Sequence, residues 1–422
     1  MSMFEITGRR KLQGQISVGG SKNAATPLLA ASLLSNTPST IRNVPKILDV
    51  TRMIELLELL GSVTRWVDRS TLTIDTSAVQ PKRLRSAKAR SLVKSMRSSV
   101  LLIGPLLARF GALTIPEPGG CILGKRPLGT HIAALKKLGA TVRWESDQFH
   151  IRAQRLVGRT IILPEFSVTA TENIMMAAMA ATGTTTIQTA AQEPHVMQLL
   201  AALTSMGART SVLGTHAMAI TAPRVIKGFR AEVGPDPIDA FTMVVAAVLT
   251  NGAVRISPFP WGTYDIVLEL LRTIGVVWSQ EGDALVMKPP HRLRAFNLLT
   301  LPYPGFPTDL QSIFGLLATQ CQGTSLIHDP LYEGRLGYIA ELVKMGANAV
   351  ICDPHRVLIT GPTPLVAGDI RSLDLRAGAT LVLAGLTARG QTVIHDAEII
   401  DRGYVSIDER LNALGASIRR TS

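Results

Sequence analysis

Six times along this 422-residue chain, a helical apolar pattern closes on a large hydrophobic residue and a glycine, and a strand-like run follows. The closures are Leu60-Gly61, Leu138-Gly139, Met206-Gly207, Ile274-Gly275, Met345-Gly346 and Leu414-Gly415, spaced 78, 68, 68, 71 and 69 residues apart. Glycine ends a helix because it takes the left-handed conformation at little cost. A recurring period marks a repeated structural unit, and this one is too long for a standard solenoid. One unit shows the order. Thr171–Ala178 starts a small-residue helix, Gly183–Ile187 turns into a strand, and Pro194–Met206 is an amphipathic helix with Val196, Leu199, Leu200 and Leu203 on one face. Alternating strands at Arg209–Val212 and Ala217–Ile220 complete it. The run Val244–Leu249 is apolar throughout, so its helix is buried on every side. The pattern therefore predicts an α/β protein of βαβαββ-like units with helices inside and sheets outside. Three units per domain give two domains of ordinary size.

The longest interval contains Pro118-Gly119-Gly120-Cys121-Ile122-Leu123-Gly124-Lys125-Arg126-Pro127. Glycines allow close backbone approach to a ligand, and neighbouring cations favour the thiolate. The run reads as a loop carrying a reactive thiol over an anionic substrate; the plainer reading is a hairpin with an incidental cysteine. The other cysteines, Cys321 beside an apolar helix and Cys352 after a strand, read as packing residues. Three cysteines make neither a disulfide framework nor a zinc spacing. With no signal-peptide pattern and no apolar tract of membrane-spanning length, the sequence predicts a cytoplasmic protein. The formal charge is +13, with local concentrations at Lys82-Arg83-Leu84-Arg85 and Lys88-Ala89-Arg90. No aromatic RNA-binding signature or capped recognition helix accompanies these cations, which argues against nucleic acid. A positive cleft for a phosphorylated or carboxylated small molecule explains the excess more simply, and a solvated face accounts for some of it.

Several separated motifs then point one way: Gly20-Ser21-Lys22-Asn23-Ala24-Ala25, Met96-Arg97-Ser98-Ser99, Gly104-Pro105-Leu106-Leu107-Ala108-Arg109-Phe110-Gly111, Pro118-Gly119-Gly120-Cys121, Phe306-Pro307-Thr308-Asp309-Leu310-Gln311, Asp374-Leu375-Arg376-Ala377 and Asp401-Arg402-Gly403-Tyr404. In this order they resemble the UDP-N-acetylglucosamine 1-carboxyvinyltransferases, the enolpyruvyl transferases of early peptidoglycan synthesis, along essentially the whole chain. The resemblance implies two inside-out α/β domains of three units each. One spans residues 22–234; the other combines 1–21 with 235–422. It implies transfer of the enolpyruvyl group of phosphoenolpyruvate to the 3-hydroxyl of UDP-N-acetylglucosamine, through a tetrahedral ketal, with release of phosphate. No metal or organic cofactor is implied. The partners are the two small-molecule substrates, and the protein is expected as a monomer or weak homo-oligomer.

The same resemblance assigns residues. Lys22, Arg97, Arg126 and Arg402 bind phosphoenolpyruvate, Lys22 and Arg402 also being catalytic. Cys121 protonates C3 or takes phosphoenolpyruvate covalently, and is the site of alkylation by fosfomycin. Asp309 takes the proton of the sugar hydroxyl. Asn23, Arg126, Pro127, Leu128, His131, Ser167, Val168, Thr169, Asp309 and Arg335 hold the sugar nucleotide, with Arg376 and Glu193 in support. From the residues alone, Lys22 is also a solvated helix end, each arginine a surface salt bridge, and Asp309 a first-turn acid favoured by the helix dipole. Departures from the family pattern fall on the sugar-nucleotide and hinge side. Gly129 replaces an aspartate, Thr169 a glycine and Pro237 an arginine; an asparagine is missing before Arg335, and Ser406 stands where a basic residue is common. They leave open a different uridine acceptor in specialised metabolism, and a noncatalytic sugar-nucleotide-binding paralogue. Joint retention of Lys22, Arg97, Cys121, Asp309 and Arg402 argues against the paralogue.

Overall fold

All six closure glycines take the left-handed backbone, with φ of 110° at Gly61, 104° at Gly139, 110° at Gly207, 100° at Gly275, 94° at Gly346 and 99° at Gly415. Each follows the outer helix of its unit: Leu48–Leu60, Gly129–Lys137, Pro194–Ser205, Asp265–Ile274, Tyr338–Lys344 and Ile407–Ala413. The structure, a computed structural model, describes residues 2–119, 128–290 and 292–421. These residues divide into two compact units, one of 20–119 with 128–234 and one of 2–19 with 235–421.

In the 20–234 unit the inner helices are Lys22–Ala31, Ile103–Phe110 (reached through the 3-10 turn Arg97–Leu102) and Val168–Ala178. Its described strands form two four-stranded sheets and one three-stranded sheet. In the 235–422 unit the inner helices are Pro237–Leu249, Gln311–Ala318 and Leu375–Thr387, and three four-stranded sheets lie outside them. Every residue from Ile238 to Val248 and from Gln311 to Ala318 is buried, as their apolar sequences require. Burying one such Leu, Ile or Phe contributes about 1.5–3 kcal/mol, so these helices anchor the fold.

The sheets share one topology. In each four-stranded sheet a short strand pairs in parallel with the first strand of the unit, and two antiparallel pairings follow. The amino-terminal segment completes two of them. Gln13–Ser17 is the parallel edge beside Ala253–Ser257. Met3–Thr7 lies between Gln391–His395 and Ile418–Thr421, the place a unit's own last strand fills elsewhere. Met3–Thr7 alternates with Phe4 and Ile6 inward, so its register is fixed by burial.

Two glycines permit close packing of the inner helices. A Cβ at Gly315 would lie 1.9 Å from the Tyr338 hydroxyl, which accepts a hydrogen bond from Gln311 Nε2 at 3.1 Å. A Cβ at Gly104 would lie 2.4 Å from the Asn173 carbonyl oxygen. The Asn173 side chain accepts from Gly104 N at 2.7 Å and donates to Val100 O at 3.0 Å, tying two inner helices together.

Part of the charge excess follows the plainer of the two sequence readings, a solvated face. Residues 76–116 hold eight Lys and Arg and no acid. Six of these cations, Lys82, Arg83, Arg85, Lys88, Arg90 and Lys94, are exposed on the 3-10 turn Pro81–Arg85 and the helix Ala87–Ser95. Among the described residues only Lys88 of the six has an ion-pair partner, Glu55 at 2.7 Å. Much of the +13 is therefore a solvated outer face. No single helix among the described residues is long and apolar enough to cross a membrane.

Candidate active site

In the 235–422 unit the site is built around Asp309. The 3-10 turn Thr308–Leu310 feeds directly into the helix Gln311–Ala318, so Asp309 is a first-turn acid, as its sequence suggests. Two arginines share its carboxylate: Arg335 Nη2 donates to Oδ1 at 2.7 Å, and Arg376 Nη2 to Oδ2 at 2.9 Å. Arg335 comes from the 3-10 turn Glu333–Gly337 and Arg376 from the second position of Leu375–Thr387. Both guanidinium side chains are buried, at 9% and 4% exposure, while Asp309 keeps 24%. A carboxylate so arranged is fixed by two guanidiniums and keeps part of its surface exposed. Arg376 is thus no surface salt bridge.

The electrostatics follow from burial. Desolvation works against the charge on Arg335, but Asp309 foremost, then Asp374, Tyr332 and Asp329, outweigh it and hold the guanidinium charged above its ordinary range. Arg376 behaves alike: burial opposes its charge, and Asp309, Tyr404 and Asp236 raise its pKa. Its guanidinium lies 5.5 Å from the Tyr404 ring centroid, and the Tyr404 hydroxyl is 3.1 Å from Thr242 Oγ1. Asp374 caps the helix below it, accepting from Arg376 N at 2.7 Å and Ala377 N at 3.1 Å. Arg402 ends the 3-10 turn Ala397–Arg402 and is half-buried. Its neighbour Asp401 is held by Arg420 through bonds of 2.8 and 2.7 Å.

In the 20–234 unit the candidate residues stand at helix starts. Lys22 is the first residue of Lys22–Ala31, with Asn23 next, and its Nζ lies 3.7 Å from Asp49 Oδ2. Arg97 opens its 3-10 turn and donates to Pro118 O at 3.4 Å. Gly119 is pressed against the helix Ala87–Ser95: a Cβ there would lie 2.1 Å from Lys94 O. Cys121, Arg126 and Pro127 lie outside the described residues. Leu128 is buried just before the helix Gly129–Lys137. Ser167 caps Val168–Ala178, its hydroxyl accepting from Ala170 N at 3.4 Å, so Val168 and Thr169 form the first turn. Glu193 precedes Pro194–Ser205. It adds its charge to the effect of burial on Glu172, whose carboxyl is held well above the usual range, burial being the larger cause.

The structure accounts for two departures and bears on a third. Thr169 brings a hydroxyl 3.1 Å from Nε2 of buried His131. Pro237 is the first residue of its helix, where a missing N–H costs nothing, and Asp236 caps that helix through Ile238 N at 2.8 Å. A Cβ at Gly129 would meet nothing within 4 Å among the described residues, so their packing does not require glycine there.

Other placements differ from the sequence reading. Cys352 is exposed within the strand Asn348–Asp353, not packed. Cys321 is buried as expected, and burial pushes its thiol up to about 12. Sequence reasoning missed Asp374 and Asp236 as caps and Asp329 altogether. An Asp immediately before an apolar helical run is the signal that finds the caps.

The scaffold of repeated α/β units is that of the enolpyruvyl transferases. The chain belongs to the EPSP synthase family: the family described as EPSP synthase (3-phosphoshikimate 1-carboxyvinyltransferase) matches residues 6–411. Within that family it is similar to the UDP-N-acetylglucosamine 1-carboxyvinyltransferase of Bradyrhizobium diazoefficiens, with 38% identity over 99% of this chain and 97% of that protein. The protein of the same name from Idiomarina loihiensis is 39% identical over the full length of both. The crystal structure of the enolpyruvyl transferase NikO from Streptomyces tendae matches with a TM-score of 0.90 at 26% identity, covering 100% of this chain and 99% of that one.

Proposed function

We propose that this chain transfers the enolpyruvyl group of phosphoenolpyruvate to the 3-hydroxyl of UDP-N-acetylglucosamine, releasing phosphate, in the cytoplasmic stage of peptidoglycan synthesis. The observation that carries the reading is Asp309, oriented by Arg335 and Arg376 and still partly open. A hydroxyl becomes a nucleophile when a positioned base takes its proton, and a fixed carboxylate is suited to that. The acceptor oxygen bonds to C2 of phosphoenolpyruvate as C3 gains a proton, which gives the tetrahedral ketal. Loss of a C3 proton with departure of phosphate then restores the enol ether.

The roles follow the family resemblance. Asp309 takes the hydroxyl proton, and Cys121 delivers the proton to C3 or holds phosphoenolpyruvate covalently. Lys22, Arg97 and Arg126 bind the phosphate, and Arg402 the carboxylate. Guanidinium forks match both anions in geometry. Asn23, Arg126, Pro127, Leu128, His131, Ser167, Val168, Thr169 and Arg335 serve the sugar nucleotide. Arg376 and Glu193 support the site. Helix starts in the 20–234 unit favour this division, because free N–H groups and the helix dipole attract phosphates.

One assay tests the reading: purified protein, phosphoenolpyruvate and a panel of uridine nucleotides, followed by phosphate release and product mass. The expected result is release with UDP-N-acetylglucosamine and a product bearing the enolpyruvyl group. Release only with another uridine compound, or none despite binding of the sugar nucleotide, overturns it. Fosfomycin should add to Cys121 by mass spectrometry and leave Cys321 untouched, since that thiol is buried and its pKa high.

A further inference from the structure

We infer that Asp329 is a positioning residue for the reaction, fixing Asp309 against Arg335 by holding the two segments that carry them. Asp329 follows the strand Gly323–His328 and is fully buried. Each carboxylate oxygen has its own task. Oδ2 accepts from Thr308 Oγ1 at 2.5 Å, and Thr308 is the residue before Asp309. Oδ1 accepts from Leu331 N at 3.0 Å, at the root of the segment leading to Arg335. Oδ1 also accepts from Thr300 Oγ1 at 2.8 Å, anchoring the chain that leads into the 308–310 turn. The backbone of Asp329 is itself fixed, donating to His355 O at 2.8 Å, while its carbonyl lies 2.7 Å from His355 Nδ1.

A buried carboxylate is costly unless every oxygen is satisfied, so its retention calls for a purpose. Here two threonine hydroxyls from the chain entering the Asp309 turn and one backbone N–H of its own segment converge on it. The separation of Asp309 from Arg335, 2.7 Å in this structure, is the distance those bonds set. An asparagine supplies only one acceptor oxygen and cannot serve both Thr308 and Leu331 in the same way. Asp329 touches no reacting atom; it acts through Thr308 and Leu331.

The inference rests on Asp309 as the group that takes the acceptor proton. The test uses the full chain and compares Thr308→Val, Thr308→Ser and Asp329→Asn with the wild type in phosphate release. Thr308→Val keeps the shape and removes the donor; Thr308→Ser keeps the donor. The expected result is a kcat for Thr308→Val lower by about tenfold or more, as small misplacements of a reacting group produce. KM should stay within about twofold, and Thr308→Ser should recover most of the loss. The acid limb of the Thr308→Val profile should move to higher pH, because a carboxylate held less closely by a guanidinium keeps its proton more readily. Asp329→Asn should lower kcat as Thr308→Val does. The pH limb is read on the threonine variants alone, because the asparagine also removes a negative charge that acts on Arg335. Thr308→Val and Thr308→Ser decide the matter if the asparagine variant folds poorly. Variants that lose only melting temperature, with wild-type kcat and pH profile, overturn the positioning role. A wild type that releases no phosphate defeats the functional reading instead.

Discussion

The two units solve the same problem at their inner helix starts in opposite ways. In the 235–422 unit the chain supplies its own anions there. Asp236 and Asp374 cap two inner helices, and Asp309 lies in the turn entering the third. In the 20–234 unit no acid occupies the first turn of any inner helix. Lys22 and Arg97 stand at two starts, where a cation opposes the helix dipole, and Ser167 caps the third. Residues that break a local rule are expected at functional positions. The contrast teaches that the fold leaves anion-seeking ends in one unit and fills them in the other. It agrees with phosphates being taken by the first and the proton by the second.

The largest expected effect tests the filled side. Arg376→Met removes one of the two guanidiniums on Asp309, which keeps Arg335 and partial exposure, so the cost is that of a charged hydrogen bond, about 1.5–3 kcal/mol. Urea unfolding should show it; a variant as stable as wild type would mean the pair is not buried in solution. Next, Asp309→Asn should lower turnover by about 10²-fold, the scale of a positioned proton-transfer group, with binding of the sugar nucleotide largely kept. Near-normal turnover removes Asp309 from the mechanism.

A third prediction sharpens the contrast in buried acids. Glu172 is held well above its ordinary 4.5, by burial and then by Glu193. Its folded value exceeds the unfolded one, so its protonated form contributes stability fully below about pH 4.5. That contribution is lost as pH rises through the folded pKa, because the unfolded chain binds fewer protons there. Glu172→Gln should therefore be more stable than wild type at pH 8 and match it near pH 4. The difference should grow by at most about 1.4 kcal/mol per pH unit in denaturation series. A gap independent of pH would sink the argument.

The smallest effect compares caps directly. Asp374→Ala loses an acceptor for two N–H groups and should cost about 1–2 kcal/mol. Ser167→Ala loses one bond at 3.4 Å and should cost about 0.5 kcal/mol, while weakening use of the sugar nucleotide. Equal stability losses would erase the distinction between the two sides.

The six hydrophobic-glycine closures were legible because helix ends leave a chemical mark: glycine alone among common residues takes φ near 100° at little cost. The inner helices were legible for a similar reason, since runs such as Val244–Leu249 have no polar face to show to water. Asp309 and Arg376 were named from sequence motifs, yet Arg376 read equally as a surface salt bridge. That two buried guanidiniums share one carboxylate depends on folding, which brings positions 335 and 376 each within 3 Å of Asp309. Asp329 left no sequence signal for this role because the two threonines that donate to it, Thr300 and Thr308, are 29 and 21 residues away. Thr169 looked like a lost glycine until its hydroxyl was found beside His131, 38 residues away. The sequence by itself determined the repeat, the helix ends and the apolar interior, which follow from local conformational preference and periodic burial. Only the tertiary structure decided which charges are paired, which cysteine is exposed and where the excess cations lie, because burial and Coulomb pairing depend on distances that no spacing along the chain records.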